Sequence, residues 1–199
     1  GVRVVLQAVA LLSRSLRFEL VIAGRGPLED EVRAAAVDDP RIRFAGYVSG
    51  EEKEALLASA AYLVIPSLWY ENAPVAVIEA TAYGLGVIGS RIGGIPELVR
   101  EGRTGVLFEP GNVGELASCI AGLITGTIVL EDRAVAATEL VKDHGVDRMV
   151  DTYLGHYQAL LEQRAATSGG EGHENLLMAA GADGGGHTGA RGHGEFSAR

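Results

Sequence analysis

The sequence predicts an α/β fold, a doubly wound parallel sheet covered by helices on both faces. Short apolar runs, each suited to a buried strand, alternate along the chain with segments of helical periodicity. Strands that alternate with helices in this way are typical of parallel sheets with both faces covered. Turn signals follow four of these runs, at Gly24, Gly46, Ser67 and Arg91. Ligands of parallel sheets bind beyond the carboxyl ends of the strands, so these turns mark the predicted binding edge.

The first half of the chain is predicted to contain three helices and three strands. Val5, Val9 and Leu12 lie on one face of the first helix, which is therefore amphipathic. The second helix has acidic residues early and Arg33 later, in agreement with the helix dipole. In chain order the predicted elements are a helix over 4–16, a strand over 18–23, a helix over 28–37, a strand over 41–45, a short helix that follows Ser49 and ends near Ser59, and a strand over 62–65.

The second half is predicted to add two strands and five helices. Pro74 suits the first turn of a helix, where its missing N–H costs nothing. Gly84 ends that helix, and Pro110 with Gly111 turns the chain into a later one. In chain order the predicted elements are a helix over 74–83, a strand over 87–90, a short helix after a loop over 93–97, a strand over 105–108, and helices over 113–124, 131–142 and 146–163.

Composition divides the chain into a folded domain, residues 1–164, and a Gly-rich flexible tail or linker, residues 165–199. Ten of the last 35 residues are Gly, and three histidines also lie there: His173, His187 and His193. Their spacing fits no metal-ligand signature, so no metal site is expected. The single cysteine, Cys119, excludes an internal disulfide and a cysteine zinc cluster, and is expected to be a small core residue.

The 199 residues include 26 acidic and 17 basic side chains, a formal net charge of −9. This charge disfavours broad contact with nucleic acid or an anionic membrane, so any phosphate must be held by local groups. No apolar run approaches the roughly 20 residues that span a bilayer, and without a signal peptide the expected location is cytoplasmic. The chain lacks an initiating Met and begins almost inside a helix. We interpret it as part of a longer protein, and expect any peripheral membrane contact only through the remainder.

Two acidic residues flank the start of the helix predicted over 74–83. Glu71 comes just before the helix, and Glu79 lies in its second turn. The free N–H groups and the positive end of the helix dipole lie between them, and such a place attracts phosphate. Carboxylates in turn accept hydrogen bonds from hydroxyl groups. The pattern therefore favours a ligand with both phosphate and several hydroxyls, such as a nucleotide-sugar.

Six segments of the chain, in order, resemble the Rossmann-like donor-binding half of retaining glycosyltransferases with the GT-B fold. The family is called glycosyl transferases group 1. One of the six contains the pair Glu71 and Glu79, after a strand that ends in Pro66 and Ser67. The six segments are 21–27, 43–48, 62–79, 84–90, 93–98 and 102–108, and the resemblance covers roughly residues 1–162. A glutamate pair alone would be weak evidence for this family, whereas six motifs in the order of the family are strong evidence.

The resemblance implies roles for residues at the predicted binding edge. Glu71 matches the first glutamate of the family, which lies near the donor sugar, and is the catalytic candidate. Glu79 matches the second glutamate, which holds the ribose of the nucleotide. Gly24 matches the small residue that lets the nucleotide approach, and the main chain of Val48 is expected to meet the base. Arg25 is either a phosphate contact or a solvated turn residue.

A turn in front of the helix completes the implied donor site. Its backbone faces the sugar and the diphosphate in the family, and here it consists of Asn72, Ala73, Pro74 and Val75. Many relatives have Phe-Gly at the second and third of these positions. Proline cannot donate a backbone hydrogen bond, so one possible contact is absent from this chain. Gly93 and Gly94 either shape a turn or contact the ligand.

The resemblance also implies what this sequence lacks. Relatives have a strand ending in Gly-Arg and then a Lys-Gly, and that Arg and Lys hold the diphosphate. Gly1 matches the glycine after the Lys, so we expect the first strand, both cations and the acceptor-side domain to be missing. Transfer in the family retains anomeric configuration and usually needs no metal. We therefore expect no cofactor, a nucleoside-diphosphate sugar as substrate, an unidentified acceptor, and hexosyl transfer by the complete protein but not by this chain alone.

Two alternatives stay open from the sequence. A nucleotide-sugar epimerase on the same GT-B scaffold would differ in its products, because an epimerase needs no acceptor. A non-catalytic binding or scaffold module would keep the fold without activity. The presence of both Glu71 and Glu79 argues mildly against such a module.

Overall fold

The computed structural model describes residues 1–131, 138–139, 142 and 144–168. Helices and strands alternate along them as the sequence predicts. In chain order they are α1 (Val2–Leu11), β1 (Leu20–Ala23), α2 (Glu29–Asp38), β2 (Ile42–Gly46), α3 (Gly50–Ser59), β3 (Tyr62–Ile65), α4 (Val75–Ala82), β4 (Gly86–Ser90), α5 (Ile95–Leu98), β5 (Gly105–Phe108), α6 (Val113–Thr125) and α7 (Val146–Ser168). Most of the helix predicted over 131–142 lies outside the described residues. Residues 169–199 of the predicted tail lie wholly outside them.

The strands of the described residues are all parallel, and they lie in two sheets. β1 pairs with β2, with Leu20 opposite Ile42. In the second sheet β4 lies between β3 and β5, with Tyr62 opposite Gly86 and Val87 opposite Gly105. The parallel α/β class is therefore confirmed. Within the described part of the chain, β1 and β3 are both edge strands, and the sheet is divided between them.

The alternation of side chains along β4 and β5 divides the core into two layers. Val87 and Leu107 pack on one face with Val77 of α4, whereas Ile88 and Phe108 pack on the other. Because successive side chains of a strand point to opposite faces, both faces of this sheet are buried. Helices α1 and α6 cover the second face with Val4, Val5, Ala8, Leu12, Leu116, Ala117, Cys119, Ile120 and Leu123. Cys119 is thus a core residue, as predicted.

A buried ion pair fixes the start of β2 against the end of α1. Asp39 and Arg41 are 5% and 8% exposed, and Nη2 of Arg41 lies 2.7 Å from Oδ2 of Asp39. Arg41 also donates to the carbonyl oxygens of Ser13, over 2.8 Å, and Val9, over 3.2 Å. Arg14 brings a second cation within 3.0 Å of the Asp39 carboxylate. The hydrogen bonds from Arg41, opposed by burial, lower the pKa of Asp39 from 3.8 to about 2.

The chain divides into two compact units, Gly1–Met149 and Val150–Arg199. The described residues of the second unit belong to α7, which ends at Ser168, four residues beyond the boundary predicted at residue 164. Large apolar side chains of this helix are exposed, among them Tyr153, Leu154 and Tyr157. In the described ranges, neither α7 nor any shorter helix combines the length and the apolar character that crossing a bilayer requires.

Candidate functional site

The carboxyl ends of β1 and β2 meet at two glycine turns. The Gly24 N–H donates to the Gly46 carbonyl oxygen over 2.6 Å. Both glycines have positive φ, +142° and +71°, a conformation that residues with a Cβ rarely adopt. The Arg25 guanidinium lies over the exposed Tyr47 ring, 5.2 Å from its centroid. Gly24, Arg25 and the loop that leads to Val48 therefore lie together, and they offer an open backbone turn, a flat ring and one positive charge.

The loop between β3 and α4 holds Glu71 by two side-chain hydrogen bonds. The Ser67 hydroxyl donates to Oε1 of Glu71 over 3.1 Å, and Nε1 of Trp69 donates to the same oxygen over 2.8 Å. Trp69 is 69% exposed, so the indole lies on the surface of the loop. Two donors on one oxygen fix the direction of the carboxylate before any ligand binds.

Gly93 and Gly94 pack closely against the backbone of this loop. The Gly94 N–H donates to the Glu71 carbonyl oxygen over 2.7 Å. A Cβ at position 94 would lie 1.7 Å from the Asn72 carbonyl oxygen, and one at position 93 would lie 2.3 Å from that of Glu71. Gly93 also has a φ of +59°. The structure thus supports the first of the two roles that the sequence left open, shaping the backbone around Glu71 and Asn72, and a ligand contact of these glycines stays a prediction.

Substitution of Gly94 by alanine is expected to lower the free energy of unfolding by about 1–3 kcal/mol, because the added methyl group must displace the Asn72 backbone. Gly26→Ala is the matched control, since a Cβ there would meet nothing within 4 Å. Urea denaturation of both variants measures the effect. Equal stability of the two variants would show that the loop can move aside without cost.

The amino end of α4 lies between the two acidic residues. Pro74 is the N-cap residue, with φ −64°, and Val75 is the first helical residue. Pro74 therefore precedes the helix by one residue, whereas the sequence analysis put it in the first turn. The first N–H groups of a helix have no partner inside the helix, and the backbone of Asn72 and Ala73 leads directly to them. This end of α4 can donate hydrogen bonds to a phosphate.

Glu79 contacts a residue that the sequence analysis did not single out. Nζ of Lys53, on α3, donates to Oε1 of Glu79 over 2.6 Å, and both side chains are about 40% exposed. This hydrogen bond, more than the attraction between the charges, raises the pKa of Lys53. The pair links α3 to α4 and places a cation beside the carboxylate that was predicted to hold a ribose.

A cavity of about 700 Å³ opens beside these groups. Val48 and Lys53 line it, together with Pro66 and Ala23 at the carboxyl ends of β3 and β1. Most of its remaining lining is aliphatic, so the larger part of the cavity lies between the sheets and not at the polar edge. Over the residues that the structure describes, His, Cys, Asp and Glu side chains form no group of three that could hold a metal ion.

Contacts within the described residues join the predicted site residues into three groups. Glu71 lies with Ser67 and Trp69, Glu79 lies with Lys53, and Gly24 lies with the other residues of the β1 and β2 turns. Sequence reasoning missed Lys53 as a partner, although it is the only cation of α3 and has acidic residues on both sides. Ser67 was predicted only as a turn residue at the end of a strand. The roles of the predicted residues in binding stay predictions.

The geometry defines a class, that of α/β domains with parallel strands. Within this class, the model of the family "Glycosyl transferases group 1" matches residues 1–126, more than half of the chain. The chain belongs to this family. The family predicted from six ordered motifs is therefore confirmed, whereas the retention of configuration that the resemblance implies stays a prediction.

Known proteins of this family and fold are similar to parts of the chain. The amylovoran biosynthesis glycosyltransferase AmsK of Erwinia amylovora is 33% identical over 153 residues, which are 70% of this chain and 38% of AmsK. The lipopolysaccharide outer core galactosyltransferase WaaB, in its apo form, has a TM-score of 0.68 at 16% identity, over 79% of this chain and 44% of WaaB. Anabaena HepE in complex with UDP has a TM-score of 0.56 at 22% identity, over 76% of this chain and 45% of HepE.

HepE is also known in complex with UDP-glucose, at a TM-score of 0.54 and 23% identity, over 72% of this chain and 43% of HepE. At these identities the structural matches show the fold alone, that of GT-B glycosyltransferases. The chain spans less than half of AmsK, WaaB and HepE.

Proposed function

We propose that this chain is the donor-binding domain of a glycosyltransferase that takes a sugar from a nucleoside diphosphate and transfers it, with retention, to an acceptor hydroxyl. The observation that carries the proposal is the pair of acidic residues around the amino end of α4, each held by a hydrogen-bond donor of the protein. Carboxylates suit the hydroxyls of the sugar and the ribose, and the helix end suits the diphosphate. The complexes of HepE with UDP and UDP-glucose support this choice of ligand.

In this proposal Glu71 acts on the sugar. Glycosyl transfer passes through a transition state that resembles an oxocarbenium ion, and a carboxylate held in one direction can orient the sugar and balance the developing positive charge. Ser67 and Trp69 are then positioning residues, because they hold the oxygen of Glu71 over 3.1 and 2.8 Å. Glu79 binds the ribose hydroxyls, and shares or exchanges its contact with Lys53.

The departing nucleoside diphosphate requires stabilisation of negative charge. The amino end of α4 supplies part of it, on the order of 1 kcal/mol, which is small against the total acceleration of such a reaction. Arg25 is the candidate cation of this chain for the phosphates. We infer that further cations and the acceptor site belong to other parts of the complete protein, and that residues 1–199 bind the donor without transferring its sugar. The proposed mechanism uses no metal ion.

The single tryptophan provides the test. Because Trp69 donates to Glu71, donor binding is expected to change its fluorescence in a saturable way when the chain is titrated with UDP-glucose, GDP-mannose and ADP-glucose. The nucleotide that gives the response identifies the base. Trp69→Phe removes the signal, and Glu71→Gln is expected to weaken the response to the sugar nucleotide more than the response to the free nucleoside diphosphate. No response to any of the three, with no heat of binding by calorimetry, contradicts the proposal.

A further inference from the structure

Two large aromatic side chains lie exposed directly in front of Glu71. Trp69 and Tyr70 are 69% and 83% exposed, and Leu68, which precedes them, is about half exposed as well. Side chains of this size usually pack against the body of a protein, so consecutive exposed aromatic residues are informative. We call Trp69 and Tyr70 the aromatic platform. The proposed function gives the platform no ligand of its own, although Trp69 contacts Glu71.

The polar edge of the Trp69 indole is held by Glu71, while most of the side chain is exposed. Nε1 donates to Oε1 of Glu71 over 2.8 Å, and Ser67 donates to the same oxygen over 3.1 Å. The N–H is the hydrogen-bonding group of an indole, so the exposed remainder of the ring is apolar. A ring that the protein already holds in one direction loses little freedom when a ligand packs against it. Trp69 is therefore suited to bind a ligand through its ring.

The loop between β3 and α4 reaches toward β5, at the far edge of the second sheet. A Cβ added to Gly111, in the turn between β5 and α6, would lie 3.8 Å from Cδ2 of Leu68. β5 lies beyond β4 in that sheet, whereas β1 lines a cavity together with β3. The turns that carry Gly24 and Val48, after β1 and β2, are therefore on the other side of β3 from Leu68. A donor that extends from those turns to Glu71 leaves the platform for a second ligand.

The chemical groups of the platform fit a neutral sugar ring. One face of a pyranose carries C–H groups, which pack on the electron-rich face of an aromatic ring. The hydroxyls of the sugar can exchange hydrogen bonds with the Tyr70 hydroxyl, which a simple alkyl chain cannot do. The Glu71 carboxylate lies 2.8 Å from the indole nitrogen, so its charge disfavours an anionic ligand on the ring.

We propose that the aromatic platform binds the acceptor of the reaction, and that this acceptor is a neutral saccharide whose terminal ring stacks on Trp69. Tyr70 binds hydroxyls of the same saccharide. This role rests on the proposed function, because the donor sugar is taken to lie at Glu71. A saccharide ring on Trp69 is then next to the donor sugar, as a reaction between the two requires.

Saturation-transfer NMR of the full 199-residue chain tests the platform. The probes are methyl α-glucoside, methyl α-galactoside and methyl α-mannoside. We expect the protein to pass magnetisation to the C–H protons on one face of at least one of these sugars. Tyr70→Ala should weaken that signal, whereas Tyr157→Ala, the matched control at an exposed tyrosine of α7, should leave it unchanged. A signal for none of the three sugars overturns the proposal, and so does an unchanged signal in Tyr70→Ala.

Two substitutions of Trp69 separate ring stacking from the hydrogen bond to Glu71. Trp69→Phe keeps an aromatic ring but lacks the N–H donor, and Trp69→Leu lacks both. If the ring binds the saccharide, Trp69→Leu should raise the dissociation constant of the saccharide about fivefold, and Trp69→Phe should raise it much less. Equal losses in the two variants would show that Trp69 acts only through Glu71, and would overturn its role as a binding surface.

Competition distinguishes the acceptor from the donor sugar. The nucleotide-sugar to which Trp69 fluorescence responds should leave the saccharide bound, because the two ligands occupy neighbouring positions. Displacement by this nucleotide-sugar, but not by its free nucleoside diphosphate, would put the saccharide in the position of the donor sugar and overturn the proposal. The proposed function fails in a different way, when the chain binds no nucleotide-sugar at all. The acceptor role then falls with it, even if the saccharides bind.

Discussion

Replacement of Asp39 by alanine is expected to lower the free energy of unfolding by about 3–5 kcal/mol, because it leaves a buried guanidinium without its carboxylate. Arg41 is 8% exposed and makes its closest contact, at 2.7 Å, with Asp39. Its remaining hydrogen bonds go to the carbonyl oxygens of Val9 and Ser13, which carry no formal charge. The variant therefore loses the charge balance and the contact of Asp39 with Arg14, whereas the hydrogen bonds of Arg41 to Val9 and Ser13 can remain.

Glu19→Ala is the matched control for this prediction. Glu19 and Arg43 form an ion pair at 2.9 Å, but both side chains are about half exposed, so its loss is expected to cost less than about 1 kcal/mol. Urea denaturation at neutral pH compares the two variants. A cost for Asp39→Ala as small as that for Glu19→Ala would mean that water reaches Arg41 freely.

The pH dependence of unfolding gives a second measure of the same pair. The pKa of Asp39 falls from 3.8 to about 2 on folding, so the folded state binds this proton less tightly than the unfolded state does. The stabilisation is therefore fully present above pH 3.8, and it is lost as the pH falls toward 2. A shift of this size corresponds to about 2 kcal/mol. Asp39→Asn is expected to flatten the stability profile of the parent chain between pH 4 and pH 2, and an unchanged slope would contradict the assignment.

Glu79→Ala in the complete protein is expected to raise the donor dissociation constant on the order of 10- to 100-fold, since hydrogen bonds from the ribose hydroxyls to a charged acceptor are lost. Calorimetry with the nucleotide-sugar that Trp69 fluorescence identifies measures the change. The fold should be little affected, because the Glu79 side chain is 38% exposed. An unchanged dissociation constant would count against ribose binding by Glu79.

Lys53→Met tests whether the Glu79 carboxylate binds the donor by itself or only as part of its ion pair with Lys53. This variant keeps Glu79 but removes the donor that lies 2.6 Å from it. If the carboxylate binds the ribose, Lys53→Met should weaken donor binding much less than Glu79→Ala does. Equal losses in the two variants would instead show that the donor recognises the pair, or that Lys53 itself contacts the donor.

The carboxyl end of α1 shows how far the local sequence pattern determines the bounds of a helix. The spacing of Val5, Val9 and Leu12 predicts a helix over 4–16, yet α1 ends at Leu11. Arg41, from the start of β2, takes the carbonyl oxygens of Val9 and Ser13. A contact between residues about thirty positions apart thus satisfies groups that a longer helix would have used, and no periodicity within residues 4–16 contains that information.

Short apolar strands were the easiest elements to predict. β3 and β5 have the bounds that the apolar runs indicate, 62–65 and 105–108, because turn residues adjoin each run and because buried parallel strands are nearly continuous apolar stretches. The pairing of the strands was less accessible. Nothing in the runs themselves indicates that β1 and β3, within the described residues, both lie at sheet edges and line one cavity.

The sequence by itself determined the α/β class, the order of the elements and the acidic residues around the amino end of α4. Apolar runs, turn residues and the spacing of apolar positions are properties of residues close together in the sequence. They favour a local structure before the chain becomes compact. Only the tertiary structure decided that Lys53 contacts Glu79, that Gly94 packs against the backbone of Asn72, and that β1 and β3 line one cavity. Each of these results depends on distances between residues far apart in the chain, and those distances are set by packing.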